Sequence, residues 1–448
     1  MQDRDFDLVL FGATGFTGRL VAEVLHGATA GPRAREAGLR WALAGRDRAR
    51  LEALRGELGT QAPVLAADAH DAAALAAIAR RARVVLTTVG PYQRHGEALV
   101  AACAGAGTDY VDLCGEPLWM ATMIARLQAP AAASGARVVF SCGFDSIPFD
   151  LGVLVLQQAM AGRFGAPARE VRARVRVMKG TLSGGTAASA LATFEATARE
   201  PALAARMDDP FALTREQPGF AGAPQPPLGE AGYDDWARAW CGPFVMAPIN
   251  TKNVHRTNAL RGHPWGTDFR YDERQLTGSG PVGEQRARAL ARRTRLQNFL
   301  LGLGPARGLI GRFALPQPGQ GPGRAAREAG RFEVLFTGET AAGERLSLVV
   351  TGDRDPGYGS TSRMVTEAAL ALLHDVDRAA TPGGVWTAGA ALGLALVRRL
   401  EAHAGLAFRL EEAHASSVTP RARASPRAPA APWPAAPGSR RYGAGSCR

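Results

Sequence analysis

Short continuous apolar runs alternate with longer amphipathic stretches over the first 145 residues of the chain. A run such as residues 8–11 suits a strand that is buried on both faces of a parallel sheet. The predicted strands are residues 8–11, 40–44, 63–66, 83–88, 109–113 and 136–141. Apolar positions three and four residues apart predict helices between them, among them 47–58, 96–104 and 117–133. Strands joined by crossover helices predict an α/β fold with a Rossmann-type, doubly wound parallel sheet.

Two aspartates mark the predicted starts of helices in this region. Asp47 precedes the helix that continues to residue 58, and Asp71 precedes an apolar helical pattern through Leu75 and Ile78. An aspartate at the N-cap accepts hydrogen bonds from backbone N–H groups that the first helical turn leaves unpaired. We therefore predict that both side chains cap helices.

The periodicity changes after about residue 165. Apolar residues at every second position of 171–177 alternate with arginines, which predicts an antiparallel strand with one face in water. Residues 332–336 and 346–350 alternate in the same way and predict a hairpin. Helices are predicted at 187–197, 284–301, 363–373 and 387–403, and long loops at 201–245. The second half is thus a predicted α+β domain with a mixed or antiparallel sheet.

These patterns divide the chain into four parts. Residues 1–150 form the predicted Rossmann domain, and residues 151–380 form an α+β domain that covers its cleft as a substrate or lid domain. Residues 381–412 are expected to hold a C-terminal helix that packs back on the body. Residues 413–448 contain six prolines, six arginines and no acidic residue, so this basic tail is predicted to be disordered.

Charge and cysteine usage exclude several classes of function. The formal net charge is +12, of which the tail carries +6 and the other 412 residues the remaining +6. Aromatic and basic residues do not interleave as an RNA platform requires, so nucleic acid is not expected as a partner. The five cysteines form no C-x-x-C pair and no H-E-x-x-H is present, so neither a disulfide framework nor a metal site is predicted.

The start of the chain and its apolar stretches predict a compartment. Residues 1–5 are charged and lead directly into the first strand, so no signal peptide is predicted. The apolar stretch 385–397 is far shorter than the ~20 residues that a membrane span needs. We predict a soluble, cytoplasmic protein, and peripheral contact with a membrane stays open.

Three glycines, Gly12, Gly15 and Gly18, stand between the first strand and the first helix. Gly12 permits a tight turn, Gly15 lets a pyrophosphate approach the backbone, and Gly18 allows close packing of helix on strand. The helix N-terminus beyond them offers free N–H groups and a partial positive charge. Because the spacing is G-x-x-G-x-x-G, a purely structural loop is the alternative to the predicted phosphate site. The other residues assigned to this site are Thr14, Phe16 and Thr17.

Arg46 follows the second strand, about where NAD-binding folds carry an acidic residue for the ribose 2′-hydroxyl. A guanidinium pairs with a 2′-phosphate instead, so NADP(H) is the predicted cofactor. Arg48 and Arg50 lie nearby. Ligands of such sheets bind beyond the carboxyl ends of the strands. That rule places Asp68 near the adenine, and it places Thr88, Val89, Gly90 and Pro91 near the nicotinamide, although Gly90 and Pro91 could equally be a simple turn.

The motifs together resemble those of the saccharopine dehydrogenase-like oxidoreductases, and particularly the bacterial branch with the mycobacterial trans-acting enoyl reductases. The resemblance covers about residues 5–412. It rests on Gly12-Ala-Thr-Gly-Phe-Thr-Gly18, Ala44-Gly-Arg46, Val89-Gly-Pro-Tyr92, Tyr110-Val-Asp-Leu-Cys-Gly-Glu116, Cys142-Gly-Phe-Asp-Ser-Ile-Pro148, Ser183-Gly-Gly-Thr186 and Gly357-Tyr358. The resemblance implies an NADP-binding Rossmann domain, a second domain with a mixed sheet over the nicotinamide cleft, and reduction of an acyl chain that a separate synthase delivers.

Three functions follow from these observations. The first is an NADPH-dependent enoyl reductase acting on a polyketide or fatty acyl thioester, small or bound to a carrier, with a polyketide or fatty acid synthase as partner. The second is a dehydrogenase of imines or amines, and the third is a non-catalytic NADP-binding sensor or scaffold. A homodimer is compatible with all three.

An enoyl reductase needs an acid that protonates the α-carbon. Tyr92 lies beyond the fourth strand and Lys179 ends the first strand of the second domain. Lys179 and Lys252 are the only lysines in the chain, which makes both notable. Asp145 is the third candidate. The alternatives are that Tyr92 stacks on the cofactor, that Lys179 is merely solvated, and that Asp145, with Ser146, caps the helix after residue 146.

Overall fold

The first sheet contains seven parallel strands in the order of a doubly wound fold. The structure is a computed structural model that describes residues 4–30, 36–180, 184–214, 222–313 and 321–411. The strands are β1 (Phe6–Phe11), β2 (Trp41–Gly45), β3 (Val64–Ala66), β4 (Ala82–Thr87), β5 (Asp109–Val111), β6 (Arg137–Val139) and β13 (Gly384–Trp386). Their order is β13-β6-β5-β4-β1-β2-β3, and all neighbours pair in parallel. The predicted α/β architecture is confirmed, with its switch point between β1 and β4.

Apart from the short α4, which was not predicted, the helices of the first half lie where the apolar periodicity predicts them. They are α1 (Phe16–Ala30), α2 (Arg48–Leu58), α3 (Ala72–Arg81), α4 (Tyr92–His95), α5 (Glu97–Ala106), α6 (Pro117–Ser134) and α7 (Ile147–Phe164). Asp47 accepts a hydrogen bond from the backbone N–H of Arg50 at 3.0 Å. Asp71 accepts bonds from Ala73 and Ala74 at 3.1 and 3.0 Å. Both predicted N-caps are therefore confirmed.

The second sheet also has seven strands, and it is mixed. Its strands are β7 (Glu170–Lys179), β8 (Gly232–Asp234), β9 (Ala239–Pro243), β10 (Arg270–Gly278), β11 (Arg331–Glu339), β12 (Arg345–Gly352) and β14 (Leu406–Glu411). They lie in the order β14-β12-β11-β7-β10-β9-β8. The predicted hairpin is β11 with β12, in which Phe336 faces Leu348. The central strand β7 pairs antiparallel with β11 and parallel with β10.

The prediction that one face of β7 is exposed to solvent is wrong at Arg174. This side chain is buried, and its guanidinium donates to Asp234 at 2.5 Å and to Asp272 at 3.2 Å. Both aspartates come from other strands of the sheet, β8 and β10. Arg172 and Arg176 on the same face are partly exposed. Arg174 can be buried because ion pairing satisfies the charge that burial would otherwise penalise.

The second half contains more helices and strands than its sequence predicts. The helices are α8 (Gly184–Arg199), α9 (Pro201–Asp208), α10 (Ala247–Leu260), α11 (Gly280–Gly302), α12 (Gly304–Phe313), α13 (Arg324–Glu328) and α14 (Thr361–His374). The prediction that residues 201–245 are long loops is wrong, because α9, β8 and β9 lie there. Helix α10 was not predicted, since polar residues on all its sides hide the periodicity of a buried helix.

The segment before the tail contributes a strand to each sheet. The helix predicted over 387–403 is present but divided: the structure has α15 (Ala388–Ala391), α16 (Gly393–Arg399) and a π-helical turn, Leu400–Ala404. Before them β13 pairs with β6, and after them β14 pairs with β12. The predicted disorder of 413–448 concerns residues outside the described ranges. Within those ranges no helix combines the length with the hydrophobicity that a membrane crossing needs.

Candidate active site

The turn after β1 closes on itself so tightly that only glycines fit. Gly12 has φ +89°, and a Cβ added there would lie 2.5 Å from Cγ2 of Val89. A Cβ on Gly18 would overlap the carbonyl group of Gly12. Thr14 and Gly15 are exposed at the crest of the turn. The result is a concave backbone cradle at the N-terminus of α1, of the kind that receives a phosphate.

The segment after β4 forms the other wall of this cradle. The hydroxyl of Thr88 donates to the carbonyl of Gly12 at 3.3 Å. Val89 touches the position that a Gly12 side chain would occupy, and the Gly90-Pro91 peptide bond, which is cis, precedes α4. The structure thus brings the predicted nicotinamide-side residues against the glycine turn.

Phe16 and Thr17, at the start of α1, are half-buried. The Phe16 ring meets the Tyr358 ring edge-on at 4.7 Å between centroids. Tyr358 lies in a π-helical turn, Pro356–Ser360, between the second sheet and α14. Its hydroxyl accepts the backbone N–H of Gly184, the first residue of α8, at 3.0 Å. Phe16 therefore contacts the second half of the chain.

The residues predicted to bind the adenosine part of the cofactor are exposed. Arg46 follows β2 and is exposed, and Asp68 follows β3 and accepts the backbone N–H of His70 at 2.9 Å. Sequence reasoning missed two histidines there: Nε2 of His70 lies 3.1 Å from Nδ1 of His95. Burial lowers the pKa of His95, and the positive charges of His70 and Arg94 lower it further.

Glu116 forms hydrogen bonds both to the start of α4 and to α8. Its buried carboxylate accepts the backbone N–H groups of Tyr92 and Gln93, each at 2.8 Å, and the hydroxyl of Ser189 at 2.6 Å. Sequence reasoning quoted Glu116 within a motif and gave it no role. An isolated glutamate has no local signal for such bonds, because all three donors are distant in sequence.

Two of the three predicted acids lie outside the lining of the large cavity described next. The Tyr92 hydroxyl is buried; it donates to the carbonyl of Thr87 at 3.3 Å and accepts the N–H of Leu113 at 3.0 Å. Burial raises the pKa of Tyr92 well above its ordinary value. Lys179 is exposed at the end of β7, opposite Arg331 of β11. Neither residue is among the described residues that line the cavity.

A cavity of about 1210 Å³ lies beyond the carboxyl ends of β5 and β6. Leu113, Gly115 and Asp145 form the wall that follows these strands. Helices α8 to α11 and residues 222–229 supply much of the other walls. They carry both polar and apolar side chains, and apolar atoms provide most of the surface exposed to the cavity. Ligand pockets commonly span about 300–1,000 Å³. This cavity therefore has room for a long apolar chain.

Asp145 is the predicted acid that the structure places in the cavity. Its side chain is half-buried, and burial raises its pKa to about 6. The alternative of a helix cap is not supported, because the N-cap of α7 is Ser146 and no side chain caps that helix. The Ser146 hydroxyl instead accepts the amide N–H of Asn253 at 2.6 Å.

Lys252 is a cavity residue to which the sequence assigned no role. It lies on α10 and is 1% exposed. Its ammonium donates to the carbonyls of Met207 and Pro248 at 2.6 and 2.8 Å. Burial lowers the pKa of Lys252 to about 8, although the charges of Asp209 and Asp208 oppose that shift. The rarity of lysine in the chain was the one available signal.

A buried acidic side chain, Glu273, lies behind another wall of the cavity. Tyr271 lines the cavity, and its hydroxyl donates to Glu273 at 2.8 Å. The amide of Asn250 donates to the same carboxyl group at 2.9 Å. Glu273 is fully buried, and desolvation raises its pKa to about 8. Near neutral pH this group is mostly a neutral acid. Across the described ranges no three His, Cys, Asp or Glu side chains cluster as metal ligands would.

Comparison with known proteins identifies relatives over most of the chain. Residues 8–139 match the family described as Saccharopine dehydrogenase NADP binding domain. A Mycobacterium tuberculosis protein provisionally named a trans-acting enoyl reductase is 41% identical over 420 residues, which cover 89% of this chain and 96% of that protein. The Trans-acting enoyl reductase of Mycobacterium ulcerans is 38% identical over 410 residues, with the same coverage.

A solved structure agrees in fold. The apo saccharopine dehydrogenase (L-Glu forming) of Saccharomyces cerevisiae aligns with a TM-score of 0.51. The alignment covers 91% of this chain and 99% of the yeast chain, at 13% sequence identity. That identity is low, so this likeness concerns the arrangement of the two sheets and their helices.

Proposed function

The chain belongs to the saccharopine dehydrogenase-like family of NADP-dependent oxidoreductases, and we propose that it is an enoyl reductase that acts on an acyl thioester. The observation that carries this proposal is the large apolar cavity that begins at the carboxyl ends of β5 and β6. Ligands of doubly wound sheets bind at such strand ends. A chain of methylenes gains about 0.8 kcal/mol for each CH₂ that it buries there.

The glycine turn fits the cofactor of this family. Its backbone is concave where side chains at Gly12 and Gly18 would have to lie, and the N-terminus of α1 adjoins it. We propose that this turn holds the pyrophosphate, that Arg46 pairs with the 2′-phosphate, and that Thr88 and Val89 border the nicotinamide. When bound, NADPH supplies the hydride that is added to the β-carbon of the substrate.

We propose Asp145 as the acid that completes the reduction. The β-carbon receives the hydride, the thioester oxygen carries the resulting enolate charge, and the Asp145 carboxyl gives a proton to the α-carbon. Of the three predicted acids, Asp145 is the one that lines the cavity. A pKa of about 6 is suitable for an acid that must be protonated before transfer and must release its proton near neutral pH.

A specific observation also favours the second candidate function. A carboxylate in a largely apolar cavity is a suitable partner for the positive charge of an iminium ion. An imine or amine dehydrogenase would use Asp145 in its ionised form, whereas an enoyl reductase would use the protonated form. The two functions therefore predict opposite effects of lowering the pH on turnover.

Turnover assays separate the three functions. The protein is mixed with NADPH and either α,β-unsaturated acyl thioesters or a 2-oxo acid with an amine, and loss of NADPH absorbance is followed. We expect oxidation of NADPH with the thioesters alone. Oxidation only with the 2-oxo acid and amine would establish the second function, and binding of NADPH without oxidation in either mixture would favour a scaffold.

The proposal extends to delivery of the substrate. The relatives' names describe action in trans, so we propose that a polyketide or fatty acid synthase presents the acyl chain on a carrier. Pull-down of a loaded carrier domain by the protein, compared with the unloaded carrier, tests this partner. Homodimer formation and peripheral membrane contact stay predictions from the sequence.

A further inference from the structure

Lys252 lies in a part of the cavity where an apolar residue would suffice for packing. Its wall is formed by α9 and α10, and its neighbours along the lining include Met207, Phe244 and Ile249. Burying an ammonium in such surroundings is costly unless its hydrogens find acceptors. A methionine of similar length would avoid that cost, although it would remove the donor that Lys252 offers to the carbonyls of Met207 and Pro248.

The hydrogen bonds of Lys252 leave part of its capacity unused. An ammonium group has three N–H donors. Two of them are directed to the carbonyls of Met207 and Pro248, and these are the contacts that the described residues make with Nζ. Lys252 also lines the cavity, and no described residue accepts its third N–H.

The position of Lys252 differs from that of the proposed acid. The carboxylates whose charges act on Lys252 are Asp209 and Asp208, whereas burial alone raises the pKa of Asp145. Asp145 lines the cavity beyond the strand ends, whereas Lys252 lies on the wall of α9 and α10. Polar side chains of α8 and α11, among them Arg293, also line the cavity. We place hydride transfer beyond the strand ends, because the glycine cradle adjoins them.

We propose that Lys252 binds an oxygen substituent on the acyl chain, a carbonyl, hydroxyl or carboxylate remote from the thioester. This inference rests on the proposed function and names its substrate class: a chain that carries oxygen, as a polyketide does, in preference to a plain hydrocarbon chain. The third N–H of Lys252 pairs with that oxygen, and the apolar walls cover the methylenes on either side of it.

Substrate selectivity tests the proposal. A series of α,β-unsaturated N-acetylcysteamine thioesters of equal length is prepared, in which one oxo group is moved along the chain or is absent. Wild-type protein should prefer one oxo-substituted member over the plain chain. Lys252→Met should lower kcat/KM for that member by about 10- to 150-fold, as loss of a hydrogen bond to a charged group implies, and should leave the plain chain unaffected.

Two further variants serve as controls. Lys179→Met removes the exposed lysine and should change neither the activity on the oxo-substituted thioester nor the activity on the plain one. Lys252→Arg keeps the positive charge and should retain part of the preference. An equal loss of activity on all thioesters in Lys252→Met would show that Lys252 is structural, and a wild-type protein without any preference would also overturn the proposal.

A binding experiment on the wild-type protein keeps the proposal testable if Lys252→Met does not fold. With ¹³C-labelled lysine the chain has two labelled side chains, and Lys179→Arg assigns them. Saturated thioesters of the same series are then titrated in the presence of NADP. The oxo-substituted ligand should shift the Lys252 signal, and the plain chain should not. Equal shifts with both ligands would overturn the inference about Lys252. Because no turnover is needed, absence of enoyl reduction would contradict only the proposed function.

Discussion

The Glu116 carboxylate accepts the hydroxyl of Ser189 at 2.6 Å, and this bond joins the strand ends of the first sheet to the first helix of the second half. The same carboxylate holds the N–H groups of Tyr92 and Gln93 at the start of α4. Ser189 also lines the cavity. A single buried side chain thus connects the proposed nicotinamide segment with the wall of the proposed substrate site.

Glu116→Ala should destabilise the fold more than loss of an exposed acid does. The variant leaves the buried N–H of Tyr92 and the partly buried N–H of Gln93 without their acceptor, and an unsatisfied buried group costs about 1–3 kcal/mol. The matched control is Glu97→Ala, since Glu97 is exposed and its pair with Arg126 contributes about 0–1 kcal/mol. Chemical unfolding of the three proteins provides the comparison. Equal midpoints for the two variants would contradict the role assigned to Glu116.

Arg46→Ala should weaken NADPH binding by about 10- to 150-fold and leave NADH binding almost unchanged. The structure favours Arg46 among the nearby arginines, because Arg48 pairs with Glu52 and Arg50 with Asp47. Calorimetric titration of both nucleotides into wild-type, Arg46→Ala and Arg48→Ala protein measures the effect. Equal losses for the two nucleotides in Arg46→Ala would assign the 2′-phosphate to another residue.

Asp145→Asn should retain NADPH binding and lower turnover by the ~10²–10⁴ typical of losing a general acid. The acid must be protonated and its pKa is about 6, so the single-turnover rate should fall as the pH rises above that value. Asp377→Asn, a change at an exposed position outside the cavity lining, is the control. A rate that rises with pH through 6 would instead support the imine reaction, in which the carboxylate is ionised.

Glu273 should make the fold less stable as the pH rises. Its pKa is raised from 4.5 in the unfolded chain to about 8 in the folded protein, so the folded state binds this proton more tightly. Its contribution is fully present below pH 4.5 and is lost as the pH rises to about 8, by up to about 1.4 kcal/mol per pH unit. Glu273→Gln resembles the neutral acid.

The difference in unfolding free energy between wild-type and Glu273→Gln protein isolates this contribution, because other titrating groups are common to both. As the pH rises from 5 to 8, we expect the unfolding free energy of the wild type to fall relative to that of Glu273→Gln. A difference that stays constant over this interval would mean that Glu273 is ionised in the folded protein throughout.

The sequence by itself determined the features that depend on neighbouring residues. Apolar runs and amphipathic stretches located β1 to β6 and their helices, since burial on a strand or helix repeats with a fixed local period. Asp47 and Asp71 were identifiable as N-caps because the backbone N–H groups that donate to them lie within three residues. The glycine turn was identifiable because its geometry allows no side chain.

The tertiary structure alone decided which polar residues are buried and what faces the cavity. A three-residue strand such as β13 has no period of its own, and it exists because the edge of β6 is available to it. Helix α10 is polar in sequence and buried in the fold, since its partners, among them Ser146 and Glu273, come from distant segments. The same applies to Lys252, for which Met207 supplies an acceptor 45 positions away along the chain. Burial of a polar group is favourable only when such partners converge, and their convergence is a property of the whole fold.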